Sequence, residues 1–173
     1  MATFDAIWAE ARTQDSAPPY LLIDAARLPR GAAQLREAGF GRHECLFAGD
    51  LAEELADVGP YLAQLPGLDI AAATIAADYV LSEAAILVRL RAPEQAFADL
   101  HRHLRKHNII YDKRGNPLFF RYYDPRALLA AMQTAPERTL RALWAPVQLL
   151  CIACGDGSVA CLQRTGEMFG WRE

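Results

Sequence analysis

Val147-Gln148-Leu149-Leu150-Cys151-Ile152-Ala153-Cys154-Gly155-Asp156-Gly157-Ser158-Val159-Ala160-Cys161-Leu162-Gln163 is the stretch on which the fold turns. Two apolar runs of strand length flank Gly155-Asp156-Gly157, residue types that accept the positive φ a tight reversal needs. The reading is a β-hairpin. Moving toward the N-terminus, Asn108–Tyr111 and Leu118–Tyr123 flank Asp112-Lys113-Arg114-Gly115-Asn116 and predict a second hairpin. Asp124-Pro125 opens a helix carrying Leu128, Leu129 and Met132, and a further helix runs from Pro136 to Leu143.

Phe97, Leu100 and Leu104 form one apolar stripe, so a helix is expected from Pro93 to about Lys106. Earlier segments alternate in type. Tyr20–Asp24 is a run of the kind expected in a sheet covered on both faces, and Glu44–Phe47, Tyr61–Leu65 and Ala85–Leu90 are also strand-like. Phe4, Ile7, Trp8 and Ala11 place a helix over residues 3–13, and Gly31–Ala38, Leu51–Val58 and the alanine-rich Asp69–Asp78 are helical. Alternation followed by hairpins predicts a mixed α/β or α+β fold: one domain over residues 1–164, with a mixed sheet packed by helices and a C-terminal β-hairpin. Residues 165–173 are expected to be a tail.

Composition narrows the function classes. The chain has 173 residues, 53% of them hydrophobic and 23% charged, which suits a packed core and excludes disordered and coiled-coil classes. No run approaches the roughly 18 apolar residues of a membrane span, and residues 1–10 show no signal-peptide pattern. Four cysteines suit a reducing compartment and are too sparse for a disulfide scaffold. A cytoplasmic protein is expected. The net charge of −3 conceals an asymmetry, with 5 basic and 13 acidic side chains in residues 1–86 and the remainder net basic. Such a split does not by itself make a nucleic-acid binder, which needs a clustered patch.

Phe119-Phe120-Arg121-Tyr122-Tyr123-Asp124-Pro125-Arg126 is the richest local pattern. Strand alternation would set Phe119, Arg121 and Tyr123 on one face. Asp124 is the N-cap of the following helix. Arg126 then falls in the first turn, where its charge opposes the helix dipole. It calls either for an ion-pair partner, such as Asp24 at the end of an early strand, or for a role in binding. His101-Arg102-His103-Leu104-Arg105-Lys106-His107 sets His103 and His107 at the i,i+4 spacing of a helical metal pair. Further ligands are missing nearby, and a solvated basic helix face is the plainer reading. A nucleic-acid contact through Arg102, Arg105 and Lys106 is the sharper one.

Cys151-Ile152-Ala153-Cys154 lies in an apolar strand rather than at a helix N-terminus, which predicts buried, inert thiols. No GxSxG elbow or phosphate-binding glycine loop is present. No catalytic constellation, metal site or cofactor is therefore expected. The competing reading is a small enzyme with a polar pocket around Asp24, Arg121 and Arg126.

His103-Leu104-Arg105, Gly115 and Phe120-Arg121-Tyr122-Tyr123-Asp124-Pro125-Arg126 together resemble the signature of the type VI secretion effector adaptor/chaperone family, catalogued as a domain of unknown function (DUF4123). Tyr20–Ala25, Leu46-Phe47-Ala48-Gly49, Pro60–Leu65 and Pro146-Val147 are similar to further family segments. The alanine-rich residues 69–84 stand where the family carries a tryptophan- and glycine-bearing stretch. The resemblance implies a non-enzymatic cytoplasmic protein of Gram-negative bacteria that binds a toxin effector and helps load it onto the VgrG spike. It implies neither nucleic acid nor membrane as partner. His103, Arg105, Arg121, Tyr123, Asp124 and Arg126 are the residues it marks, as partner-binding or as structural.

Overall fold

Tyr20–Asp24 (β1) is apolar at every position but its last and is buried throughout, because it lies inside a sheet covered on both faces. The computed structural model describes Trp8 and residues 19–67, 69–91, 97–112, 114–165 and 168–171. The other strands of the main sheet are Arg42–Cys45 (β2), Pro60–Gln64 (β3), Ala85–Leu90 (β4), Val147–Ala153, Val159–Thr165 and Met168–Trp171. Ile109–Tyr111 (β5) and Pro117–Phe119 (β6) form a separate hairpin, so the last three become β7, β8 and β9. The order across the main sheet is β2-β3-β1-β4-β7-β8-β9, with Leu22 of β1 opposite both Leu62 of β3 and Ile86 of β4.

Two cores follow from the period-2 alternation of these strands. On one face, Leu21, Ile23, Ala63, Leu87 and Cys151 pack against the helix Ile70–Leu81, whose Ala72 and Ala76 let it sit close to the sheet. On the other, Tyr20, Leu22, Leu62, Ile86, Val88, Leu150 and Ile152 meet the helices Phe97–Arg105, Pro125–Thr134 and Glu137–Leu143. Numbering the short helices Ala33–Glu37 as α1 and Asp50–Glu54 as α2, these four are α3, α4, α5 and α6. Trp144 and Tyr122 are fully buried in this second core, in edge-to-face contact at 6.1 Å between ring centroids.

The α+β class and the C-terminal hairpin are as expected, and Ala85–Leu90 is a strand over the expected residues. Several expectations are corrected. Every described pairing is antiparallel, so the sheet is not mixed: each helical crossover returns the chain to the end of the sheet from which an antiparallel neighbour starts. Residues 168–171 are not a tail but β9, paired to β8 in a register that sets Leu162 opposite Trp171. Leu46 and Phe47 lie beyond the end of β2. The second strand of the inner hairpin stops at Phe119, because the chain turns at residues 121–124 and the Asp124 amide donates to the Arg121 carbonyl at 3.0 Å. Alternation therefore does not extend to Arg121, and Tyr122 and Tyr123 both point inward. Cys151 and Cys161 are buried, but Cys154 lies past the end of β7 and is only half-buried. Apart from Trp8, the helix expected over residues 3–13 lies outside the described residues. Among the described residues, no helix is long and apolar enough to cross a membrane.

Candidate functional site

Asp24 ends β1 on the second-core face and is 1% exposed. A buried carboxylate needs its oxygens occupied. One accepts from the Ala26 amide at 3.2 Å, and the other receives the Arg121 guanidinium at 2.5 Å. Arg121 also lies 3.5 Å from Asp124, with its guanidinium 5.9 Å from the Tyr123 ring centre. Asp124 accepts from the Arg126 amide at 3.0 Å, the expected cap of α5. Burial raises the Tyr123 hydroxyl to about 12, although Arg121 pulls in the other direction.

The expected partner of Asp24 is thus corrected. Arg121 holds it, while the exposed Arg126 stands 3.7 Å from Asp124. Asp124→Ala should cost about 1 kcal/mol of stability through the lost cap. Chemical denaturation checks this, and a change within a few tenths would contradict the capping role.

His103, a further marked residue, and Tyr122 tie helices together. His103 is half-buried, with its Nε2 2.8 Å from the Leu143 carbonyl at the end of α6. The Tyr122 hydroxyl donates to the Leu104 carbonyl of α4 at 2.9 Å. His103 and His107 do come together, with ring centroids 5.0 Å apart, but the Leu143 contact engages one nitrogen of the pair. Burial, aided by the neighbouring His103, pushes His107 below its usual range. Among the described residues, no group of three His, Cys, Asp or Glu side chains is arranged to hold a metal.

Arg105 takes no part in this network. It is exposed on the wall of a groove of about 650 Å³ between α4 and residues 46–51. Leu46, Phe47, Ala48 and Leu51 form one side, Ile109 and Phe119 of the β5–β6 hairpin close the end, and Arg102, Arg105 and Lys106 line the helix side. Two side chains hold the 45–46 backbone in place: His101 Nε2 lies 2.7 Å from the Cys45 carbonyl, and Asn108 Nδ2 donates to the Leu46 carbonyl at 2.7 Å. At the far end Arg42 pairs with Glu44 at 2.5 Å and stands 4.4 Å from the Phe97 ring centre.

The hairpin beside the groove is unusually apolar for its exposure. Ile109, Tyr111, Leu118 and Phe119 are 47%, 71%, 47% and 52% exposed. Its turn is firm: the Asp112 carboxylate accepts from the Arg114 and Asn116 amides, each at 2.8 Å, and Gly115 takes a φ of 81°. Phe47 caps it from the body, meeting Phe119 edge-on at 5.7 Å. Contiguous exposed apolar side chains on a well-formed element mark an interaction surface. The sequence points to the exposed edge of the Asn108–Tyr123 hairpin as a docking surface but does not show the groove beside it, although the signal was present: apolar residues on both faces of two short strands with no third strand or helix assigned to cover them.

Residues 19–142 match the family described as Domain of unknown function (DUF4123), which is associated with type VI secretion effector adaptors. No curated protein and no solved structure matches the chain significantly.

Proposed function

The chain belongs to the DUF4123 family, and from that premise we propose that it is a non-enzymatic adaptor that binds a type VI secretion toxin and promotes its loading onto the VgrG spike. The family match over residues 19–142 carries this reading. The exposed apolar hairpin supports it, since a binding module needs a surface of that kind more than a closed polar pocket. The carboxylate required by the enzyme alternative, Asp24, is buried and already bonded through both oxygens. The adaptor acts in the cytoplasm, before delivery. Holding the toxin in its loading-competent form stabilises that form by mass action. Cells lacking this chain should therefore accumulate and export less of the toxin encoded beside it, while spike secretion continues. Unchanged toxin abundance and export in the deletion strain would remove the reading.

A further inference from the structure

We propose, resting on the adaptor reading, that the groove between α4 and residues 46–51 docks an acidic segment of the toxin that also carries bulky apolar side chains. Charge accounting selects that occupant. Arg102 pairs with Asp99 at 2.8 Å and Glu44 pairs with Arg42 at 2.5 Å, so those charges are matched within the fold. Arg105 and Lys106 are exposed, line the groove and make no salt bridge among the described residues. Among the described residues, the groove thus presents two cations without an ion-pair partner along one wall, opposite Leu46, Phe47 and Phe119.

A ligand that fits both walls needs carboxylates on one side and large apolar groups on the other. A purely basic segment would meet like charge, and a purely polar one would leave Phe119 and Ile109 facing water. The clamps from His101 and Asn108 fix the backbone at 45–46, so that wall of the groove is formed before the ligand arrives. The site also spans both halves of the chain, joining loop residues of the acidic half to cations of the basic half.

The test titrates the full chain with overlapping peptides covering the toxin encoded beside it, at low and at high salt, and captures full-length toxin in parallel. Peptides with several carboxylates and bulky apolar residues should bind, more weakly at high salt. The pair Arg105→Gln and Lys106→Gln should weaken them roughly tenfold, and Phe119→Ser by a similar factor, with melting temperatures held near the parent's. Preference for basic or uncharged peptides overturns the proposal, as does equal binding by the parent and the groove variants. Salt-sensitive binding of random duplex DNA that the same variants abolish, with no peptide bound, assigns the groove to nucleic acid instead. A parent that captures full-length toxin as well as the groove variants do overturns the groove alone; a parent that captures none overturns the adaptor reading with it.

Discussion

Arg121→Ala should destabilise the fold by about 2 kcal/mol, whereas Arg126→Ala should change it by no more than about 0.5 kcal/mol. The two arginines flank the same turn, but their environments differ. Removing Arg121 leaves a carboxylate that is 1% exposed with, among the described residues, a single backbone donor. Breaking a fully buried pair from one side costs roughly 3–5 kcal/mol. The Arg121 side chain is 48% exposed, so water can replace part of what is lost, and the expectation falls below that range. Arg126 is 67% exposed and its nearest carboxylate oxygen is 3.7 Å away, which makes it a surface charge. Thermal melts of the two variants check the contrast. Equal effects, or a silent Arg121→Ala, would show that the Asp24 contact contributes nothing. Should both melt like the parent yet lose the toxin, the arginines belong to the binding surface and not to the scaffold.

Gly31→Ala carries the larger expected loss, about 3 kcal/mol. Gly31 sits at a φ of +53°, and a Cβ there would fall 2.3 Å from the Asp57 carbonyl oxygen. That oxygen is fixed, since it accepts from the Ala32 amide at 2.9 Å. The substitution adds left-handed backbone strain, roughly 1–2 kcal/mol, to a clash that only backbone movement relieves. Gly39 supplies the control. Its φ is +74°, but a Cβ would meet nothing nearer than Ile75 Cδ1 at 3.9 Å. Gly39→Ala should therefore cost only the strain, about 1 kcal/mol. Denaturant midpoints of the two variants separate the contributions, and equal losses would show that the approach to Asp57 is not what requires glycine.

Much of the architecture was legible in local pattern. β4, β1 and the β7–β8 hairpin announce themselves because continuous burial selects apolar runs and because Gly155-Asp156-Gly157 permits the reversal. The family signature was legible too. The errors lie where distant contacts override local pattern. Leu118–Tyr123 looks like one strand, but the inward turn of Tyr122 and Tyr123 toward the second core ends it at Phe119. Asp24 was identified as an ion-pair partner, yet the choice between Arg121 and Arg126 depends on a contact across 97 positions of sequence. Residues 168–171 carry too little pattern to declare an edge strand, and pairing with β8 is what makes them one.

The groove is hidden from local pattern. Arg105 and Lys106 were legible as a basic helix face, and the hairpin as apolar strands. Their juxtaposition with Leu46 and Phe47 exists only once α4, the 46–51 loop and the hairpin are folded together. The marked residues sort accordingly. Arg121, Tyr123, Asp124 and His103 are engaged in holding the turn and the helices in place, while Arg105 faces the open groove.

Capture of the purified neighbouring toxin by the purified full-length chain tests the adaptor claim most directly. Size-exclusion chromatography with mass determination should show the two proteins co-eluting as a stoichiometric complex. Separate elution of the two at concentrations well above micromolar, together with turnover of a small-molecule substrate by the isolated chain, would contradict the account.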